Sequence, residues 1–143
     1  MRILAVDPGT TRVGLALSDP TGTIATALAT VPAEPAAELV QRLAAAATEH
    51  EVTRIVVGLP IRMDGRRGPE AKAAAQLADE LRAATKLPVE TMDERLTSVA
   101  AERSLIDAGM KRGKRRQTVD RVAATILLQS YLDRMKAPKR SAL

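Results

Sequence analysis

The chain of 143 residues contains no cysteine, no phenylalanine and no tryptophan, and it carries one tyrosine, Tyr131, and one histidine, His50. Without cysteine there is no disulfide framework, no thiolate metal site and no thiol nucleophile, which suits a reducing compartment. Without Phe or Trp the core must be built from Ala, Val, Leu and Ile, and strand recognition by aromatic base stacking is excluded. His50 falls at the expected end of a helix and reads as a charge partner there rather than as a catalyst. No apolar run approaches the ~18 residues of a membrane span. Met1-Arg2 leads directly into the strand-like Ile3-Leu4-Ala5-Val6, so no signal peptide is expected and a soluble cytoplasmic protein is the default.

What is present is unevenly placed. Residues 1–110 hold 12 basic and 15 acidic side chains (net −3), whereas residues 111–143 hold 10 basic and 2 acidic (net +8). Such polarity suits an anionic partner, a nucleic acid or a membrane surface, with a solvated basic tail as the plain alternative. The length fits one domain, expected over residues 1–135, with residues 136–143 a disordered tail.

Hydrophobic patterning predicts strands over residues 2–7, 12–18 and near 23–31, joined by the turns Pro8-Gly9-Thr10-Thr11 and Asp19-Pro20-Thr21-Gly22. Pro35 is placed to open a helix through residue 50, Arg54–Gly58 reads as a buried parallel strand, and an amphipathic helix is expected over 69–86. A fifth strand is expected over Pro88–Met92. A helix capped by Thr97 or Ser98 should then run to Ala108, with Gly109 as its terminator. Lys111 to Arg116 reads as a mobile basic loop. From Thr118 a last helix should bury Val119, Val122, Ala123, Ile126, Leu127 and Tyr131. The expected fold class is α/β, a mixed five-stranded sheet with three antiparallel strands followed by parallel ones, flanked by helices. Strands one, four and five would then share a carboxyl edge, where open α/β sheets bind ligands, and Asp7, Gly58 and the Asp93-Glu94 pair would lie on it.

Three acids bear on chemistry. Asp7 ends an apolar strand, where an ionised side chain needs a polar cleft or a cation, or else serves as a turn former before Pro8-Gly9. Glu94 stands between a strand and the next helix, where acids also complement a helix N-terminus. Asp120 lies one turn into the last helix, directly after the most basic stretch. Hard divalent cations take such oxygen donors, and two of them about 3.5–4 Å apart can activate water and stabilise the leaving oxygen in phosphodiester hydrolysis.

The motifs Val6-Asp7-Pro8-Gly9-Thr10-Thr11-Arg12-Val13-Gly14, Val56-Val57-Gly58-Leu59-Pro60 with Met63-Asp64-Gly65, Asp93-Glu94-Arg95-Leu96-Thr97-Ser98, and Val119-Asp120-Arg121-Val122-Ala123 follow one another in this order. Together they resemble the YqgF/RuvX family of RNase H-like nucleases, described as Holliday-junction resolvases and pre-16S ribosomal RNA maturation nucleases. The resemblance runs nearly end to end. It implies an RNase H-like fold, Asp7, Glu94 and Asp120 as both metal ligands and catalytic residues, and Mg²⁺ or Mn²⁺ as cofactor. It also implies RNA or DNA as partner. Arg12, Arg95 and Thr97 match recurrent motif positions and are taken as groups that touch phosphate or support the ligands, with Lys111, Arg112, Lys114, Arg115 and Arg116 as the basic loop beside the cleft.

Two features complicate that expectation. Ala123 occupies the place where wider resolvase relatives carry a second acid on the last helix. A fourth strand between the first and fifth would separate their backbones by about 10 Å, so that Glu94 joins Asp7 only through its long side chain. Weak metal binding without substrate is expected. Junction resolution would further require a symmetric dimer with two sites. Two rival readings stand beside the nuclease. One is a non-catalytic nucleic-acid-binding factor of ribosome assembly. The other is a nucleotide-binding domain, since the Asp7–Thr11 turn also resembles the first phosphate loop of actin-like ATPases and sugar kinases, although those enzymes use two such domains.

Overall fold

The computed structural model describes residues 1–97 and 115–136, with residues 115–122 as helix backbone. In chain order the elements are β1 (Ile3–Asp7), β2 (Arg12–Ser18), β3 (Ala25–Pro32), α1 (Ala36–Glu49), β4 (Arg54–Leu59), α2 (Pro69–Thr85), β5 (Val89–Asp93), a 3₁₀ turn (Glu94–Leu96) and α3 (Arg115–Lys136). The five strands form one sheet in the order β3-β2-β1-β4-β5. β1, β2 and β3 pair antiparallel, while β4 runs parallel to both β1 and β5, as the sequence pattern predicts. Among the described residues no helix is long and apolar enough to cross a membrane.

The period-2 alternation of the strands sorts the core into two layers. Leu4, Val6, Leu15, Ile55 and Val57 face α1 and α2, which contribute Leu39, Leu43, Leu77 and Leu81. On the other face Ile3, Ala5, Ala16, Ala25, Val56 and Met92 meet Ala124, Leu127, Leu128, Tyr131 and Leu132 of α3. The second layer is built from smaller strand residues, and α3 lies close against them.

Several boundaries differ from expectation for identifiable reasons. The third strand starts at Ala25 rather than near Thr23, and Ile24 is 52% exposed. The Asp19 carboxylate accepts hydrogen bonds from the backbone N–H groups of Thr21, Thr23 and Ile24 at 3.3, 2.7 and 2.8 Å, which hold this stretch in a turn. These bonds, led by that from Ile24, hold the Asp19 carboxyl far below the usual carboxylate range. Arg115 and Arg116 belong to α3 instead of the expected loop, consistent with arginine's good helix propensity. The helix continues through Lys136, one residue into the expected tail. The expected helix from Thr97 or Ser98 to Ala108, along with Gly109, Lys111, Arg112, Lys114 and residues 137–143, lies outside the described residues.

Of the residues predicted to form the buried stripe of α3, Leu127 and Tyr131 are buried, Ala123 and Ile126 are only half-buried, and the side chains of Val119 and Val122 lie outside the described ones; Ala124, Leu128 and Leu132 complete the stripe. Gln129 is buried because it substitutes for a strand neighbour. Its Oε1 accepts from Ala25 N at 2.9 Å and its Nε2 donates to Thr23 O at 3.1 Å, so polarity conceals a residue that ties α3 to β3. Arg54 at the start of β4 donates to Tyr131 Oη at 2.9 Å and pins the same helix near its C-terminal end.

The Leu81 side chain is fully buried between α2 and the sheet. Leu81→Ala should cost about 2–5 kcal/mol. Urea unfolding should show a lower midpoint at an unchanged slope, and an unchanged midpoint would show that this layer repacks freely.

Candidate metal and nucleic-acid site

Asp7, Asp93 and Glu94 lie at the carboxyl edge of the parallel strands. Ile3 and Ala5 of β1 face α3, so alternation carries Asp7, the last residue of the strand, to the same face, where it is half-buried. In β4, Val56 faces α3, and Gly58 follows it by the same rule. Val6 pairs with Val57, which sets Asp7 and Gly58 level on neighbouring strands. Asp7 pairs with Gly14 across the antiparallel side, and Arg12, first residue of β2, lies two positions on from Gly14, at this same edge.

The two acids at the end of β5 part company. Asp93 is committed to Arg95: its carboxylate accepts from Arg95 Nε at 3.1 and 3.0 Å, from Nη2 at 2.7 Å and from the Arg95 backbone N–H at 2.9 Å. The Arg95 guanidinium holds the Asp93 carboxyl below its usual range, and Asp93 in turn raises the arginine. Asp93 therefore orients Arg95, whose Nη1 reaches the edge of the β4–α2 loop at Gly65.

Glu94 turns the other way. A methyl group placed on Gly58 would stand 3.1 Å from Leu127 Cδ2 and 3.3 Å from both Cγ and Cδ of Glu94. The Glu94 side chain thus crosses β4 over the one position without a side chain, and its carboxyl group lies one strand from Asp7. The Glu94 carboxyl carbon therefore lies over β4, the strand beside β1, although its backbone follows β5. Thr97 fixes the turn that aims it, donating from N at 3.3 Å and from Oγ1 at 3.0 Å to the Glu94 carbonyl.

Asp120 lies in α3, seven residues before Leu127 and four before the buried Ala124. Tyr131 meets Arg54 at the amino end of β4 and Leu127 meets Gly58 at its carboxyl end, so α3 runs antiparallel to β4. At ~1.5 Å per residue the backbone of residue 120 is about 10 Å beyond Leu127 along the helix axis, past the carboxyl edge. Among the described residues no three Asp, Glu or His side chains gather as a metal cluster. Arg115 and Arg116 start the same helix. His50 ends α1 beside a shallow cleft lined by Met1, Arg2 and Thr53, away from the carboxylate edge.

Two functional features escaped sequence reasoning. Gly58 was visible as a glycine inside a central strand, a usual sign of close approach by another group. Glu94 was distinguished from Asp93 by motif alone, although the strand period already gave the neighbouring residues opposite faces.

The family description "RuvX: Holliday junction resolvase" matches residues 1–134. The chain belongs to the RuvX family. Nuclease chemistry, hydrolysis of phosphodiester bonds, is the activity class of that family. The chain is 46% identical over 132 residues to a Roseiflexus sp. (strain RS-1) protein named "Putative pre-16S rRNA nuclease", covering 92% of this chain and 94% of the relative. A Myxococcus xanthus relative of the same name is 43% identical, covering 96% and 91%. Among solved structures, T. thermophilus RuvC in complex with Holliday junction substrate superposes with a TM-score of 0.56 at 19% identity, covering 95% of this chain and 96% of that one. The Fowlpox virus resolvase with its Holliday junction DNA gives 0.58 at 13% identity, covering 96% and 100%. These likenesses confirm the RNase H-like RuvX fold.

Because Arg95 lowers the folded-state value of Asp93, the pair stabilises the protein above the ordinary carboxylate range, and this is lost as pH falls through the folded value. Asp93→Asn should therefore be less stable than the parent at neutral pH, with the gap closing on acidification. Urea titrations across a pH series measure it; a gap independent of pH would remove the ion pair from the stability balance.

Proposed function

We propose that this chain cleaves nucleic acid with a divalent cation, Mg²⁺ or Mn²⁺, held by Asp7, Glu94 and Asp120. The observation that carries this reading is the path of Glu94 across Gly58, which brings its carboxyl group to the strand beside Asp7. Two carboxylates on neighbouring strands suit an ion with oxygen ligands at about 2.0–2.2 Å, and no cysteine competes for a softer metal. The Asp120 position, past the sheet edge on α3, supports a third donor. A cation bound there would generate a hydroxide nucleophile and stabilise charge on the phosphate oxygens.

The chain's own residues orient the substrate. Arg95, held by Asp93, presents a planar fork suited to two phosphate oxygens. Arg12 at the start of β2 lies at the same edge, and Thr97 holds the Glu94 backbone. Lys111, Arg112, Lys114, Arg115 and Arg116 supply charge for the backbone leading away from the cut. The favoured substrate is the pre-16S ribosomal RNA, because the relatives at 46% identity carry that name, with branched DNA as the alternative and the cytoplasm as the compartment. Action on a four-way junction would add a requirement for a homodimer.

Asp7→Asn should abolish cutting of ribosomal RNA precursor or four-way junctions in Mg²⁺ or Mn²⁺ while leaving binding intact. Equal cutting by both proteins would place the site elsewhere, and cutting by neither would favour a non-catalytic assembly factor. Gly58→Ala should lower kcat at least tenfold with a modest stability loss of about 1–3 kcal/mol, since its methyl group displaces Glu94 or Leu127. Single-turnover cleavage at saturating substrate separates this from weaker binding.

A further inference from the structure

The loop that leaves β4 at the carboxyl edge meets the residues assigned above through Arg95, and its own side chains carry no role there. It is ordered as a tight turn: Gly65 N donates to Arg62 O at 2.8 Å, Arg62 N to Arg66 O at 3.0 Å and Arg66 N to Asp64 Oδ1 at 2.9 Å. Gly65 sits at φ +86, a left-handed conformation that side chains rarely adopt. The turn holds Met63 out at 91% exposure, the most exposed large apolar side chain among the described residues. Around it Arg66 is 82% exposed, with Asp64 as a partner at 3.5 Å, and Arg67 is exposed and close enough to Asp93 to favour its charged form. Arg95 Nη1 lies 4.0 Å from the Cβ position of Gly65, so this turn and the Asp93–Arg95 fork form one continuous surface.

We propose that the β4–α2 turn is a second nucleic-acid contact, in which Arg66 and Arg67 bind backbone phosphates and Met63 packs against the face of an unpaired base. The inference rests on the nuclease reading of the neighbouring edge. Its chemistry is that of a polarizable thioether meeting a π face, flanked by cations that neutralise phosphate. A chain with no Phe or Trp, and with its one Tyr buried, has few other groups for this task. An apolar group at the tip favours an unpaired base over continuous duplex, where base faces are covered by stacking.

The test is fluorescence anisotropy with the full chain in EDTA, using labelled single strands of RNA and of DNA and a duplex of the same sequence. Arg66→Ala with Arg67→Ala should weaken binding to every probe and reduce the salt slope by about 0.7 per contact on single strands and about 0.9 on duplex. Met63→Ala should weaken single-strand binding about two- to tenfold at an unchanged slope and leave duplex binding as it was. Unchanged affinity and slope in the arginine variant would overturn the phosphate contacts, and an equal Met63→Ala loss on single strand and duplex would overturn the base contact. In either case, cutting by the parent in Mg²⁺ or Mn²⁺ keeps the nuclease reading intact. A parent that neither binds nor cuts any probe overturns both.

Discussion

The close seating of α3 on the sheet governs everything at the carboxyl edge. On the face toward α1 and α2 the central strands carry Leu4, Val6, Leu15 and Val57, and on the face toward α3 they carry Ala5, Ala16 and Gly58. Small residues on one side let a helix approach until Leu127 touches the Gly58 backbone, with the dispersion contacts of a dense interior as the return. The helix has little freedom to slide there. Gln129 is bonded to β3 and Tyr131 to Arg54, at positions on either side of β1 in the sheet. An insertion or deletion between these tethers and residue 120 would turn that backbone position about 100° per residue around the helix axis.

The same glycine that admits the helix also admits Glu94. A carboxylate at the end of β5 is two strands from Asp7, and any side chain at position 58 would stand in its path. Asp93 shows what the alternative looks like, since one residue earlier the pleat points to the other face and the acid is neutralised by Arg95. Adjacent acids thus part: Asp93 is bonded to the Arg95 guanidinium, and Glu94 is the one that turns toward Gly58, where the proposed cation would be held.

Much of this was legible in the sequence. The strand order followed from three short alternating segments and two continuous apolar ones, and Asp7, Gly58, Asp93 and Glu94 lie at the predicted edge. What escaped was set by contacts distant in sequence. Part of the buried face of α3 was missed because Gln129 looks solvent-facing until its strand partner at Ala25, far earlier in the chain, is known. The start of β3 was misplaced because a single carboxylate, Asp19, claims three backbone donors that a strand would otherwise use. The turn at Arg62–Arg66 read as an ordinary loop, since composition does not reveal that its hydrogen bonds hold a methionine outward.

The layer under α3 is completed by residues 124–132, whereas its strand side is made by Ile3, Ala5, Ala16, Ala25, Val56 and Met92. A ribosome emitting the chain from its N-terminus therefore exposes one finished layer and one open apolar face until the final helix emerges. Domains fold as units during synthesis, and an uncovered sheet face is prone to aggregate. The helix carrying Asp120 is the element that closes this face, so the proposed third donor and this layer of the core arrive together. A truncated or stalled chain would lack both, which ties the capacity to cut nucleic acid to completion of the fold.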